Sequence, residues 1–242
     1  MTTYVLLHGG AAGSWIWDPA AKLLRDKGHL VLCVTFTGFA ERNHLLSAEC
    51  SAQLHVQDVL QAMKFHDVRD AVLVAHSYSG IVAPGVVARA PAGTIRRVIY
   101  LDSVVLHEGE TVMSVFAGMP AEQVAGMAAG LAAGAVPLEL PVATMQRDEA
   151  AKKPMRMSAE RQQWVLDHLS TMPTAANVVP VEVGAESIKL PVDYIACSDT
   201  VMKPTMHDRA RKLGWSMHEV DGDHVILVGD PQGTVALLEK LS

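Results

Sequence analysis

The sequence predicts an α/β fold: a mostly parallel sheet flanked by helices and interrupted by a helical cap. Three observations carry that expectation. Short apolar runs alternate with helix-patterned segments over residues 1–106 and again over 190–242, the rhythm of βαβ units around a parallel sheet. Between them, residues 107–189 hold no clear strand and are rich in Ala and Met. Half of the 242 residues are hydrophobic and 19% are charged, which supplies one large core and argues against disorder.

Each element has its own signal. "TYVLLH" (3–8) is a short apolar strand ending in His8-Gly9-Gly10. Asp18-Pro19 is a helix start, with a capping carboxylate and then proline, and Gly28 closes that helix. "HLVLCVTF" (29–36) reads as the next strand, and 37–50 as loop. Ser51 heads a helix to about Phe65, with Leu54, Val56, Val59, Leu60 and Met63 near 3.6-residue spacing. A buried strand at 71–76, a helix and the strand "RRVIYLD" (96–102) follow. Within the cap segment, Pro120, Pro137, Pro141, Pro154 and Pro173 divide the chain into short helices. Strand character resumes at "PVDYIAC" (191–197). A helix near 204–213, the strand "SMHEVD" and a helix from about Gly229 complete the alternation.

Three chemistry-bearing residues fall at ends of core strands. Ser77 sits in "AVLVAHSYSG", between an apolar strand and a helix, among residues small enough for a tight joint. Asp199 follows the strand 191–197, and His224 follows "SMHEVD". Ligand sites of open parallel sheets lie beyond the carboxyl ends of the strands, so these loops open on one crevice. A serine hydroxyl needs a base at neutral pH; His224 is that base, and a carboxylate orients its ring. Asp199 is the favoured carboxylate and Asp102, at the end of the preceding core strand, is its rival. The backbone N–H groups of Gly10 and Tyr78 are the candidate oxyanion donors. His8 reads as a brace for that loop and His76 as packing beside the joint.

Together, "LLHGGAAGSWIWDPAAKLLRDKGHLVLCVTFTGF", "VAHSYSGIV", "VIYLDSVV" and "HEVDGDHVIL" resemble the α/β-hydrolase superfamily. They are most similar to the branch of small esterases that includes plant methyl-ester hydrolases and hydroxynitrile lyases. The resemblance covers roughly residues 3–106 and 190–240, and it places nucleophile, acid and base on Ser77, Asp199 and His224. Two departures stand out. The usual Gly-x-Ser-x-Gly joint reads Ala75-His76-Ser77-Tyr78-Ser79, with Gly80 one step later. Lyases of the branch carry a threonine after the first-strand histidine and a lysine after the base, where this chain has Gly9 and Val225.

The expected activity is therefore hydrolysis of a small-to-medium hydrophobic carboxylic ester through an acyl-enzyme. A carbon–carbon lyase or a non-catalytic receptor of the same fold are the alternatives. Trp17, Phe116, Met119, Met127 and Trp164 are the candidate substrate-pocket residues, since an apolar, methionine-rich lid makes an adaptable pocket. No cofactor motif and no metal-ligand spacing is present, and the scattered Cys33, Cys50 and Cys197 read as reduced thiols. A net charge of −6 argues against nucleic-acid partners, and no apolar run reaches the ~18 residues of a membrane span. The N-terminal pattern lacks a signal-peptide flank, so a cytoplasmic location is expected. A homodimer is left open.

Overall fold

The computed structural model describes residues 1–200, 202 and 205–242. From the N-terminus, β1 (Thr3–Leu7), α1 (Asp18–Asp26), β2 (Leu30–Val34), α2 (Ala52–Phe65), β3 (Ala71–His76), α3 (Ala83–Arg89) and β4 (Ile95–Leu101) alternate. An inserted stretch then holds α4 (Val112–Phe116), α5 (Ala121–Ala132), β5 (Glu139–Leu140), α6 (Val142–Lys152), α7 (Ala159–His168), β6 (Met172–Pro173) and α8 (Ala175–Val178). The alternation resumes with β7 (Val192–Asp199), α9 (Thr205–Lys212), β8 (Ser216–Asp223), α10 (Ile226–Gly229) and α11 (Pro231–Leu241). Residue 204, where the sequence started the helix before β8, lies outside the described residues.

Six strands form one parallel sheet in the order β2-β1-β3-β4-β7-β8. Its four central strands are largely buried on both faces, and their side chains divide with period two. Val5, Leu7, Leu73, Ala75, Val98 and Tyr100 enter one core with α2, α3 and α9. Tyr4, Leu6, Val72, Val74, Ile99 and Leu101 enter the other, against α1, α10 and α11. A third, smaller cluster of Val124, Leu131, Ala175 and Val178 joins α5 to α8, with Met113, Met119 and Met127 packed on it.

Local differences from the sequence reading have plain causes. Asp18 is the first residue of α1 and makes no side-chain cap, because a 3-10 turn at Ser14–Trp17 leads directly into the helix. Ser51 stands at the N-cap of α2 without a side-chain cap bond. The segment read as strand-free carries the two-residue antiparallel pair β5–β6. β7 runs two residues past Cys197, so Asp199 ends the strand instead of following it.

The register positions the site. His76 is paired with Leu101, so Ser77 and Asp102 leave neighbouring strands at one level. Leu101 is paired with Ile195, which puts Asp102 beside Ala196. Asp199 lies three residues further along β7, roughly 10 Å towards the rim at the rise of a strand.

Candidate active site

Ser77 occupies a strained joint. It is the first residue of a 3-10 turn (Ser77–Ile81) that follows β3 without a connecting loop, and its φ of 55° lies in the left-handed region, which side chains rarely adopt. The strain is held by two bonds to its carbonyl, from the Val104 N–H at 2.9 Å and the Ser103 hydroxyl at 2.7 Å. The displaced glycine of the motif is explained here. A Cβ on Gly80 would stand 2.2 Å from the Val104 carbonyl oxygen and 2.5 Å from Ser103 Oγ, so the close approach falls at Gly80. Ser79 fits because it is wholly buried and turns its hydroxyl onto the His76 and Leu7 carbonyls.

Three side chains form a hydrogen-bonded chain. Ser77 Oγ and His224 Nε2 are 2.9 Å apart, and His224 Nδ1 is 2.6 Å from Asp102 Oδ2. The acid in contact with His224 is thus Asp102 and not Asp199, the favoured choice of the sequence reading. The strand register is the reason: Asp199 is carried out to the rim, where it pairs with Lys153 at the end of α6. Asp102 turns under the sheet edge with φ 41° and is fully buried. Burial alone would raise its pKa. The hydrogen bonds from His207 and His224, with Thr200 on the same group, reverse that and hold it well below the usual carboxylate range.

The first loop closes on this chain. A Cβ on Gly9 would lie 2.9 Å from Ser77 Cβ and 3.1 Å from His76 Nδ1, so only glycine fits. His8 accepts the Phe36 N–H at Nε2 (3.1 Å), which leaves Nδ1 to donate to the Gly9 carbonyl at 2.7 Å. Gly10 lies beside Tyr78, whose Cβ is 3.9 Å from the place a Gly10 Cβ would take. The Tyr78 hydroxyl donates to His55 Nδ1 (2.7 Å), and His55 Nε2 donates to the Thr37 carbonyl (3.0 Å). His76 donates from Nε2 to the His224 carbonyl at 2.8 Å, and its ring lies 4.9 Å from the His224 ring.

Burial pushes three of these imidazoles down, His8 to about 4 and His55 and His76 to about 3. In the unfolded chain they titrate near 6.5. Below that pH the unfolded chain binds protons that the folded one refuses, so stability falls as pH drops from about 6.5 towards 4 and is complete above it. Each histidine contributes at most about 1.4 kcal/mol per pH unit. Urea titrations at pH 7, 6 and 5 should give steadily lower midpoints, and replacing His55 by Gln should flatten that decline.

The five pocket candidates are placed differently from one another. Trp17 is fully buried, donates from Nε1 to the Leu7 carbonyl at 3.0 Å and packs beneath the sheet edge. It is a core residue, because the 3-10 turn before α1 drives its ring inward. Trp164 stacks edge-on against Trp15 at 5.1 Å, with His168 at 4.8 Å, joining α7 to that turn. Met119 and Met127 pack in the α5–α8 cluster, and Phe116 is 40% exposed. Met172, absent from the candidates, reaches the first loop: its Sδ is 2.9 Å from the Cβ position of Gly10. The insertion also grips the stretch just before His224. The Arg156 N–H donates to Asp223 at 2.6 Å, and its guanidinium binds both Asp221 oxygens at 2.6 and 2.9 Å.

A family model described as "Alpha/beta hydrolase family" matches residues 4–237. The chain belongs to the alpha/beta hydrolase family. It is 30% identical to a carbendazim hydrolyzing esterase of Nocardioides sp. (strain SG-4G), over 100% of this chain and 99% of the relative. Methylesterase 17 of Arabidopsis thaliana is 24% identical, over 98% of this chain and 90% of its own. The solved structure of an extracellular alpha/beta-hydrolase from a Paenibacillus species superimposes with a TM-score of 0.75 at 22% identity, covering 99% of this chain and 98% of that one. That likeness speaks for the fold.

Proposed function

We infer that this alpha/beta hydrolase is a carboxylesterase-type serine hydrolase, with Ser77 as nucleophile, His224 as general base and Asp102 as the orienting acid. The observation that carries the reading is the unbroken chain Ser77 Oγ–His224 Nε2, His224 Nδ1–Asp102 Oδ2 at 2.9 and 2.6 Å on a strained joint. The serine attacks the ester carbonyl as His224 takes its proton. The imidazolium is stabilised by Asp102, and the proton then passes to the leaving alcohol. Water, activated by the same imidazole, releases the acid from the acyl-enzyme.

The negative charge on the tetrahedral intermediate needs preorganised donors. The N–H groups of Gly10 and Tyr78 fit that role. The His8 bond to the Gly9 carbonyl fixes the peptide that carries the Gly10 N–H, because carbonyl and N–H of a trans peptide point in opposite directions. The His55 bond fixes Tyr78. The apolar, methionine-bearing insertion favours a small-to-medium hydrophobic ester. Hydroxynitrile-lyase chemistry is disfavoured, since the threonine such lyases carry after the first-strand histidine would collide with Ser77 at position 9.

An organophosphonate carrying a p-nitrophenyl leaving group tests the assignment. One equivalent of p-nitrophenol should be released, ester turnover should stop, and the mass increase should map to the peptide containing Ser77. Turnover that survives full labelling, or a label on another serine, would refute it.

A further inference from the structure

Asp102 has more partners than a triad acid requires. Its Oδ2 takes the His224 N–H at 2.6 Å and the Thr200 hydroxyl, and its Oδ1 faces the Cys197 N–H and His207 Nε2, each at 3.3 Å. A carboxylate has about four lone-pair sites, and all four are occupied. His207 is the informative partner. It projects from α9, is 2% exposed, and lies edge-on to the Tyr194 ring at 5.5 Å. Tyr194 in turn donates to the Ser103 carbonyl at 2.7 Å and accepts the Ser103 N–H at 3.0 Å, and Ser103 holds the Ser77 carbonyl. α9 therefore meets Asp102 directly and reaches the Ser77 joint through Tyr194 and Ser103.

We propose that His207 is a positioning residue that shares the charge of Asp102 with His224 and holds the carboxylate in place. This rests on the assignment of Asp102 as the acid of the reaction. The physical case is a division of one negative charge between two imidazoles. Whatever part of the Asp102 charge is satisfied by His207 is not available to stabilise the imidazolium form of His224. Without the second imidazole that share returns to the contact with His224, so the acidic limb of the rate profile is expected to move in a variant that lacks it. Among the described residues, His76 faces the His224 ring, while Tyr194, the Thr200 hydroxyl and the Cys197 N–H face His207 and Asp102. Arg209 on the same helix is engaged by Glu110 at 2.9 Å.

The test is the pH profile of kcat/KM for p-nitrophenyl acetate, whose acidic limb reports the base in the free enzyme. His207→Leu should move that limb up by about half a pH unit and lower kcat by about tenfold, the scale of one lost bond to a charged group. His207→Gln, whose amide reaches the place of Nε2, should restore the wild-type limb. His207→Asn, of similar polarity but too short to reach Asp102, should behave as Leu does, which covers a Leu variant that fails to fold. Phosphonate labelling of Ser77 confirms an intact nucleophile in each. Acidic limbs that coincide in wild type, Leu and Asn variants overturn the role of His207. Full turnover in Asp102→Ala would instead remove the triad assignment beneath it, so the two failures are told apart.

Discussion

Ser77→Ala is expected to lower kcat for p-nitrophenyl acetate by about a millionfold, the scale seen when a Ser–His–Asp unit loses its nucleophile. The fold should survive the change. The bonds that hold the joint, from Val104 N–H and Ser103 Oγ, end on the backbone carbonyl of residue 77 and not on the side chain that is removed. Melting temperature should therefore stay near that of wild type while turnover disappears. The sharper form of the experiment adds His224→Ala. A base with no nucleophile to activate has nothing to contribute, so the double variant should be about as slow as either single one. On the proposed mechanism the residual rate over water comes from the N–H donors assigned to Gly10 and Tyr78 and from binding of the ester. Losses that multiplied in the double variant would mean that Ser77 and His224 act independently, and the mechanism would fail.

The joint at Ser77 was legible because its signal is local: an apolar strand, a cluster of small residues and a helical stretch occupy adjacent positions. Even the departure from the usual motif proved informative. The glycine demanded by crowding is Gly80, because the loop after β4 presses there and not on Ser79. His224 was legible in the same way, as a histidine just past the strand "SMHEVD". The acid was not. Asp102 and Asp199 both close strands in sequence, and what separates them is the register between β4 and β7, a relation between distant segments that strand patterning does not carry. His207 left a signal that went unused. In "TMHDRARK" the buried positions are Met206, His207 and Ala210, so the histidine stands on the apolar face of an otherwise charged helix. Trp17 was misplaced for a related reason: an aromatic near a glycine-rich loop suits a pocket wall and a core equally, and only the 3-10 turn decides.

The register argument has a direct consequence. Asp102→Asn should lower kcat by about ten-thousandfold, whereas Asp199→Asn should leave it within about threefold. At position 102 an amide replaces an acceptor-only group with one that offers two donors, in a place where four donors already converge. The amide cannot satisfy them all, and it no longer stabilises the charged imidazole. His224 is then held in the wrong tautomer, or loses its orientation towards Ser77. Some stability is also lost, because buried donors are left without partners. Phosphonate labelling and melting curves must accompany the rates, and labelling should slow in parallel with turnover. Asp199 differs in every respect. Its side chain is 36% exposed and its partner Lys153 is 72% exposed, so the pair is a solvated contact between the sheet rim and the insertion, worth less than ~1 kcal/mol. Removing it loosens one tie among several, since Arg156 still holds Asp221 and Asp223. If the larger loss followed the Asp199 substitution, the orienting acid would be at the rim and the geometry at Asp102 would be a structural bond alone.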